Sequence, residues 1–278
     1  MKVLVIGGDA RMDYAAKRLS EAYETQRSDS RHSETEPNTS GSFDVLILPL
    51  PLTKNGTDIF APTQSEHIRF EAIERYAKAN ALIFAGGETP LLSQICAEKG
   101  YRLENYFSRE TLTLKNAALT AEAACAILSQ STNGALLNSS ALITGYGRIA
   151  RFLAARLKAN GCSVTVAARR GEQRAAAELD GFAAVPIEEM SKMLYKFDYI
   201  ANTVPYILFS EKDFSEMRKE CVFMELATLP DQPARSFAVK YGIEYVYASG
   251  LPGKCSPKAA GKFIAEEVIE ILEKYKKI

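Results

Sequence analysis

Short apolar runs alternate with segments of helical periodicity along most of the chain. In the first half, the runs cover residues 3–6, 45–48 and 82–84, and the helical segments cover about 11–23, 65–79 and 90–99. Strands that alternate with helices are typical of a parallel sheet with crossover helices. The pattern therefore predicts a first α/β domain that ends in short apolar pieces near Tyr101 and Leu112.

One polar segment interrupts this alternation. Residues 26–42, QRSDSRHSETEPNTSGS, are rich in serine and threonine and contain almost no apolar side chain. Such a segment cannot offset its ordering entropy by burial, so we expect a mobile loop. It falls where the second strand of an α/β domain would normally lie.

The second half repeats the alternation more regularly. Strands are predicted at 141–144, 163–167, 183–186, 199–202, 222–226 and 245–247, and helices at 148–160, 170–180, 188–195 and 257–276. Ahead of these elements, residues 117–130 form a predicted helix of small side chains that begins near Thr120 as a cap and connects the two halves. Turn-forming residues at 131–140 end this helix.

A glycine-rich turn follows the first strand of the second half. Gly145, Gly147 and Ala150 form a G-x-G-x-x-A pattern, and Gly161 ends the helix that comes next. The first glycine permits a tight turn, the second lets a pyrophosphate approach the backbone, and the alanine allows the helix to pack close to the strand. The N–H groups at the helix start can then bind phosphates. A dinucleotide site is predicted here; the alternative is a glycine turn without a ligand.

The residues at the end of the next strand distinguish an NAD site from an NADP site. An NAD site usually places an acidic residue there for the ribose 2′-hydroxyl, whereas this strand ends in Ala168, Arg169 and Arg170. Two guanidinium groups in that place favour the 2′-phosphate of NADP over NAD. Arginines are also common at exposed strand ends, which is the alternative interpretation.

Three further loops follow strand ends, at the edge of the sheet where a dinucleotide crevice forms. They contain Asn202-Thr203-Val204-Pro205, the segment after Glu225, and Gly250-Leu251-Pro252-Gly253, the last of which we expect to be a rigid loop. The complete set of expected cofactor contacts is Gly145, Tyr146, Gly147, Arg148, Ile149, Ala168, Arg169, Arg170, Asn202, Thr203, Val204, Pro205, Leu226, Ala227, Gly250 and Pro252.

These patterns predict an α/β protein of two Rossmann-like doubly wound domains with parallel sheets, joined by connecting helices. The expected divisions are a substrate domain at 1–116, a connecting helix and linker at 117–136, the NADP-binding domain at 137–256, and a C-terminal helix at 257–278. That helix carries one apolar stripe, formed by Phe263, Ile264, Val268, Ile271 and Leu272. By analogy with two-domain dehydrogenases, we expect it to cross back to the first domain.

Composition and charge give no indication of a nucleic acid, a membrane or a metal ion as partner. The chain has 34 basic and 34 acidic residues, so nothing in its net charge indicates a nucleic acid or an anionic membrane as partner. No apolar window is long enough for a spanning helix, and the first residues read as a buried strand rather than a secretory signal. Five scattered cysteines and two histidines give no metal-site spacing, and they fit a reducing cytoplasm.

Taken in order along the chain, several motifs resemble one known family. They are VLVIGGDAR at the start, LITGYGRIARFLAARLKANGCSVTVAARR in the middle, NTVP, ELATLP, and ASGLPGKCSPKAAG near the end. The chain resembles the family of dipicolinate synthase A subunits over almost its whole length. That resemblance implies a sporulation enzyme of the mother-cell cytoplasm that forms pyridine-2,6-dicarboxylate from dihydrodipicolinate, or from its hydroxy-tetrahydro precursor, with NADP. It also implies a partner, the flavoprotein-like B subunit of dipicolinate synthase, and we further expect a homo-oligomer.

The resemblance also implies the chemistry, an aromatisation in which a hydride leaves a ring carbon while a weak base takes a proton. The candidate catalytic residues are Asp9, Arg11, Glu122 and Lys258. Arg11 would pair with a carboxylate of the substrate, and Lys258 would add a positive charge beside the N-terminus of the last helix. Ordinary structural roles, as a helix cap or as solvated helix residues, are the alternatives for all four.

Two other functions remain open on the sequence. One is a different two-domain NAD(P)-dependent dehydrogenase, such as a 2-hydroxyacid or shikimate type, although no clear His or Lys/Asp pair is present. The other is a non-catalytic dinucleotide-binding protein that needs its partner for turnover.

Overall fold

A computed structural model of the chain describes residues 1–28, 41–62, 67–131, 135–228 and 233–276. The chain divides into two compact units, Met1–Asn116 with Pro252–Ile278, and Ala117–Leu251. Each unit is built on a parallel sheet, so the predicted α/β fold class is confirmed.

The strands, in chain order, are β1 (Lys2–Ile6), β2 (Glu24–Ser28), β3 (Phe43–Ile47), β4 (Asp58–Ile59), β5 (Ile68–Arg69), β6 (Ala77–Ala85), β7 (Arg102–Asn105), β8 (Ser140–Thr144), β9 (Ser163–Ala168), β10 (Ala183–Pro186), β11 (Tyr199–Asn202), β12 (Val222–Glu225) and β13 (Glu244–Tyr247). The helices are α1 (Ala10–Leu19), α2 (Ala72–Tyr76), α3 (Pro90–Lys99), α4 (Glu110–Gln130), α5 (Arg148–Ala159), α6 (Gly171–Leu179), α7 (Glu211–Ser215), α8 (Pro233–Tyr241), α9 (Leu251–Cys255) and α10 (Pro257–Tyr275). Tyr106–Ser108 and Ile187–Lys196 are 3-10 helices.

The first unit has a five-stranded parallel sheet in the order β2-β1-β3-β6-β7. Counted along the main sheet this is the order 2-1-3-4-5, one of the two common doubly wound arrangements. β4 and β5 form a separate antiparallel pair. The apolar runs of β1, β3 and β6 are buried on both faces of the sheet, which is why they read as continuous rather than alternating patterns.

A strand is present where the sequence predicts a mobile loop. β2 lies at the edge of the sheet and pairs in parallel with β1 over its five residues. Its side chains are exposed or half-buried, so its sequence shows no apolar pattern. Main-chain hydrogen bonds to β1 form the strand, and the Arg27 guanidinium donates to Asp13 on α1 at 3.0 Å. Residues 29–40 of the predicted loop lie outside the described residues.

The helix predicted at 65–79 is wrong for most of its length. Only Ala72–Tyr76 is helical, Ile68–Arg69 is a strand, and residues 63–66 lie outside the described residues. The chain enters β6 already at Ala77, which pairs with Phe43 of β3. Pairing with the neighbouring strand therefore overrides the local helical periodicity of residues 77–79.

α10 belongs to the first unit, where it packs along α1. Its buried Ile264, Val268 and Ile271 share one core with Val3 and Met12. Gly261 lies at the closest approach of the two helices: a Cβ there would be 2.2 Å from the backbone oxygen of Arg11. The contact needs a residue without a side chain.

The second unit has a six-stranded parallel sheet in the order β10-β9-β8-β11-β12-β13. This is the order 3-2-1-4-5-6, in which the strand order reverses between β8 and β11 and leaves a crevice beyond the carboxyl ends of these two parallel strands. The core on one face contains α5 residues Ala150, Leu153 and Leu157.

The start of α4 and the segment after Gly250 differ from the prediction. α4 begins at Glu110, seven residues before the predicted start, because the apolar Leu112 is buried in the core of the first unit. Thr120 is therefore a buried residue in the middle of this helix and not its cap. The segment predicted as a rigid loop after Gly250 instead forms the short helix α9.

Candidate dinucleotide-binding site

The turn between β8 and α5 has the backbone geometry of a phosphate cradle. Gly145 has a φ of 75°, in the left-handed region, and a Cβ there would be 2.9 Å from Cγ2 of Val204. Gly147 is the N-cap of α5 without a side-chain cap, and a Cβ there would meet no atom within 4 Å. Open space therefore lies in front of a helix N-terminus whose first N–H groups no capping side chain engages, which is the arrangement that binds phosphate.

A cleft of about 630 Å³ opens beside this turn. Its volume lies within the ordinary range of ligand sites. The described residues that line it are Gly145, Tyr146, Gly147, Arg169, Arg170, Gln173, Ile187, Thr203, Val204, Pro205, Tyr206 and Leu208. Arginine is the only charged residue type among these lining residues, so the cleft suits an anion.

The end of β9 presents arginine side chains to the cleft. Arg169 and Arg170 are exposed, and Arg170 lies 3.5 Å from Glu172 in a solvent-exposed pair. Within the described part of the chain, no carboxylate lies within ion-pair distance of Arg169. The backbone beneath is held by Arg174, whose Nη1 donates to the carbonyl oxygens of Ala168 and Arg169, both at 2.8 Å. Arg169 thus offers an uncommitted guanidinium on a braced strand end.

Tyr146, the residue between the two glycines, is held from behind. Its hydroxyl donates to Asp180 at 2.6 Å, and its ring packs edge-on against Phe182. Burial and the neighbouring Asp180 carboxylate both raise the pKa of this phenol, so it stays neutral. Arg151 contacts Asp180 at 3.3 Å and completes the support.

Behind the cleft, three polar side chains stand in one register row at the ends of neighbouring strands. Asn202 of β11 is paired with Thr144 of β8 on one side and with Glu225 of β12 on the other. The Thr144 hydroxyl donates to Oδ1 of Asn202 at 2.6 Å, and Nδ2 of Asn202 donates to both Glu225 carboxylate oxygens, at 2.9 and 3.1 Å. All three side chains are buried.

Glu225 is a buried carboxyl without a cationic partner among the described residues. It is 1% exposed, and besides Asn202 it accepts a hydrogen bond from the Ala227 N–H at 3.1 Å. Burial raises its pKa to about 7, and the two donors offset only part of that effect. Its carboxyl borders a small cavity of about 10 Å³ that Asn202 and Tyr206 also line.

Half of the expected cofactor contacts line the cleft: Gly145, Tyr146, Gly147, Arg169, Arg170, Thr203, Val204 and Pro205. The others are not among its lining residues. Ala168, Asn202, Leu226, Ala227 and Pro252 are buried, Arg148 and Ile149 are the first two residues of α5, and Gly250 is an exposed residue just before α9.

Sequence reasoning missed several residues of the site. Gln173, Ile187, Tyr206 and Leu208 line the cleft without being predicted. Glu225 and Thr144 also belong to the row of buried polar side chains behind the cleft, and the sequence does contain a signal for these two residues. Thr144 directly follows the buried apolar run Ala-Leu-Ile, and Glu225 directly follows the run Val-Phe-Met. Polar residues at the ends of neighbouring buried strands can therefore be compared as possible hydrogen-bond partners.

In the first unit, Asp9 and Arg11 form a bidentate ion pair with each other. Asp9 is the N-cap of α1 and accepts from Nε and Nη2 of Arg11, at 2.9 and 2.8 Å. Arg11 is buried, and its Nη2 also donates to the carbonyl oxygen of Leu50. Gly253 covers the pair, since a Cβ there would be 2.9 Å from both side chains. The guanidinium fork predicted to bind a substrate carboxylate is thus engaged by Asp9.

The other two catalytic candidates are surface residues. Glu122 is exposed on α4, where its carboxylate lies 4.0 Å from Arg156. Lys258 is exposed in the first turn of α10, and no acidic partner is found for it in the described chain. Among the helices described, none has the length and apolar character needed to cross a membrane. Nor do the described residues bring three potential metal ligands together.

Two family models match successive parts of the chain. Residues 2–107 match the N-terminal domain of the dipicolinate synthase A subunit. Residues 116–228 match the NAD binding domain of D-isomer specific 2-hydroxyacid dehydrogenases. The open glycine cradle and the cleft fit the group that the second family implies, a nicotinamide dinucleotide. The cofactor named for that second family is NAD.

Similar proteins extend over nearly the whole chain. The dipicolinate synthase A subunit of Bacillus subtilis (strain 168) is 26% identical, with 98% of this chain and 96% of the relative covered. The crystal structure of the dipicolinate synthase A chain from Bacillus subtilis superimposes with a TM-score of 0.84 at 25% identity, covering 100% and 97%. That of the A subunit from Bacillus halodurans gives 0.85 at 23% identity, covering 98% and 97%. The resemblance indicated by the motifs is confirmed: over nearly its whole length the chain is similar to dipicolinate synthase A subunits.

Proposed function

We propose that this chain oxidises dihydrodipicolinate, or its hydroxy-tetrahydro precursor, to pyridine-2,6-dicarboxylate with NADP as the acceptor. The substrate class comes from the family. The cofactor choice rests on one observation: Arg169 stands at the end of β9 with no ion pair among the described residues, and no acidic residue stands at that strand end. A guanidinium at this place suits a 2′-phosphate and gives the 2′-hydroxyl of NAD no acceptor.

Different residues of this chain would bind different groups of the dinucleotide. The Gly145–Gly147 turn and the start of α5 would bind the pyrophosphate, and Arg169, beside the uncapped start of α6, would bind the 2′-phosphate. The loop Thr203–Pro205 would bound the cleft on its other side. When bound, the nicotinamide supplies a hydride acceptor. The protein positions the ring to be oxidised, and aromatisation provides much of the driving force.

The proton that accompanies the hydride has no obvious acceptor in the cleft. None of its described lining residues is an aspartate, glutamate or histidine. This observation favours a second candidate function, in which the chain is the dinucleotide-binding component of a complex and turns over only with a flavoprotein-like B subunit. For the substrate carboxylates, Lys258 is the better candidate, because Arg11 is engaged by Asp9.

The setting of the reaction follows from the same family. We assign the chain to the cytoplasm of the mother cell during sporulation, with the B subunit and further copies of itself as partners. The substrate is a small dicarboxylate, and neither a nucleic acid nor a membrane takes part.

An assay of the purified chain tests the proposal. Dihydrodipicolinate is generated in situ and incubated with NADP, with and without the B subunit, and pyridine-2,6-dicarboxylate and NADPH are measured together. Product and NADPH in equal amounts, with the chain alone, support the enzyme. Formation only when the B subunit is present selects the second candidate. Product that appears at the same rate without this chain contradicts both.

A further inference from the structure

We infer that Glu225 is a positioning residue of the dinucleotide site, and that its ionised carboxylate holds Asn202 in the orientation that anchors the loop Thr203–Pro205 against Gly145. The inference rests on the proposed function only in taking the cleft as a nicotinamide dinucleotide site. It assigns no contact between Glu225 and the cofactor.

The hydrogen bonds at Asn202 have a defined direction. An ionised carboxylate only accepts, so the two contacts with Glu225 require the Nδ2 amide group to face it. Oδ1 then faces the opposite way, where it accepts from the Thr144 hydroxyl and from the Val204 N–H, at 2.6 and 3.1 Å. The charge on Glu225 thus selects one of the two possible orientations of the amide.

The Thr144 hydroxyl connects the Asn202 amide to the loop Thr203–Pro205. Because the Thr144 hydroxyl donates to Asn202, its oxygen is left to accept the Thr203 N–H at 3.2 Å. The Thr203 hydroxyl donates in turn to the carbonyl oxygen of Thr144 at 2.7 Å. Two successive N–H groups of the loop, at Thr203 and Val204, are therefore bound by the row of three side chains.

The loop Thr203–Pro205 in turn contacts the phosphate cradle. Val204 packs directly over Gly145, since Cγ2 would lie 2.9 Å from a Cβ at that glycine, and the Thr203 hydroxyl would lie at 3.4 Å. Thr203, Val204, Pro205 and Gly145 all line the cleft. A loop released from Asn202 would change the width of the cleft at the cradle.

A proton on Glu225 works against this arrangement. A protonated carboxyl carries an O–H donor that competes with the Nδ2 donors for the same few acceptors. If the Asn202 amide turned to accept that proton, its NH2 group would face the Val204 N–H, donor against donor. In a buried site an unmet donor is costly, so the loop would lose its anchor.

The environment sets this change near neutral pH. Burial raises the pKa of Glu225 to about 7. The titratable groups near it are Tyr206, which borders the same small cavity, and Tyr245 on β13. Burial, and then the charge of Glu225, raise the pKa of Tyr245 to about 12, so Tyr245 is neutral throughout. Arg235 on α8 is the charged group on that side and is exposed.

Cofactor affinity measured against pH tests the inference. NADH is the probe because it lacks a 2′-phosphate, which would itself titrate near pH 6. Its Kd is measured by fluorescence at steps between about pH 6 and about pH 8.5 for the wild type, Glu225→Gln, Glu225→Asp and the exposed-surface control Glu178→Gln. We expect the wild-type and Glu178→Gln affinities to rise by about fivefold or more across this range. Glu225→Gln should stay at the weak, low-pH affinity, and Glu225→Asp should show the rise at a pH displaced from that of the wild type.

The outcomes separate the inference from the proposed function. A wild type that binds NADH with the same pH profile as Glu225→Gln overturns the role of Glu225 and leaves the dinucleotide site intact. A wild type that binds neither NADH nor NADPH at any pH overturns the proposed function itself. If Glu225→Gln does not fold, Glu225→Asp alone decides: a rise displaced along the pH axis supports the inference, and an unchanged profile contradicts it.

Discussion

Asn202 donates its side-chain amide to both carboxylate oxygens of Glu225, at 2.9 and 3.1 Å, in a row that spans the ends of three adjacent strands. The pair lies behind a cleft whose walls are the glycine turn after β8 and the loop after β11. A buried charge therefore stands next to an anion-binding cradle without touching it. This arrangement connects the stability of the second unit with its binding of a dinucleotide.

The free energy of unfolding should depend on pH because of Glu225. Its pKa in the folded state, about 7, lies above its ordinary value of 4.5, so the folded form holds the proton more tightly than the unfolded form. Below about pH 4.5, Glu225 contributes its full share, roughly 3 kcal/mol, to the free energy of unfolding. This contribution is lost as pH rises through about 7.

The check is urea unfolding of the wild type and Glu225→Gln between about pH 4.5 and about pH 8.5, because their difference removes the effect of other carboxyls. The wild type should lose stability relative to the variant as pH rises. A constant difference would show that Glu225 does not titrate in this range. Glu178→Gln, on the exposed surface of α6, serves as the matched control.

The two glycines of the cradle should respond differently to alanine. Gly147→Ala adds a methyl group in open space, so its melting temperature should stay close to that of the wild type. Gly145→Ala meets Val204 at 2.9 Å on a left-handed backbone and should be destabilised by about 1–3 kcal/mol. Both should weaken dinucleotide binding by about tenfold or more, since the pyrophosphate must approach this backbone. Undiminished binding by Gly147→Ala would place the phosphates elsewhere.

Arg169 should separate the two dinucleotides. Removing a charge-assisted contact to a phosphate costs about 1.5–3 kcal/mol, which corresponds to about 10- to 100-fold in affinity. Arg169→Ala should show this loss for NADPH and less than about threefold for NADH. Lys219→Ala, which removes one exposed positive charge elsewhere in the second unit, should change neither by more than that. Equal losses of both dinucleotides in Arg169→Ala would mean that this side chain does not bind the 2′-phosphate.

Gly261 tests the packing of the first unit. An alanine there would bring Cβ to 2.2 Å from the backbone oxygen of Arg11, and a backbone atom cannot move aside cheaply. We expect Gly261→Ala to lower the free energy of unfolding by about 2 kcal/mol or more. Lys262→Ala, one residue along and exposed, should lower it by less than about 0.5 kcal/mol. Similar values for the two variants would contradict the close contact of α1 and α10.

The second unit was largely predictable from sequence, and the reason is physical. Its central strands are buried on both faces and α5 is amphipathic, so Ser140–Thr144, Arg148–Ala159 and Tyr199–Asn202 each left a clear pattern. Gly145 and Gly147 marked the site because a phosphate cradle needs residues without side chains.

The errors occurred where backbone pairing or distant contacts determine the structure. β2 is a polar edge strand that exists through its ladder with β1, and no side-chain pattern reports that. The apolar Leu112 belongs to a helix because of what it packs against. Asn202 and Arg11 were recognised as polar residues near a site, but local sequence could not reveal that Glu225 and Asp9 already bind them.

Direct titration of the purified chain with NADPH and with NADH, at one pH and one ionic strength, tests the central claim most directly. The account predicts saturable binding of both at one site per chain, with NADPH bound at least about tenfold more tightly because of Arg169. Binding of neither dinucleotide, or tighter binding of NADH, would contradict it.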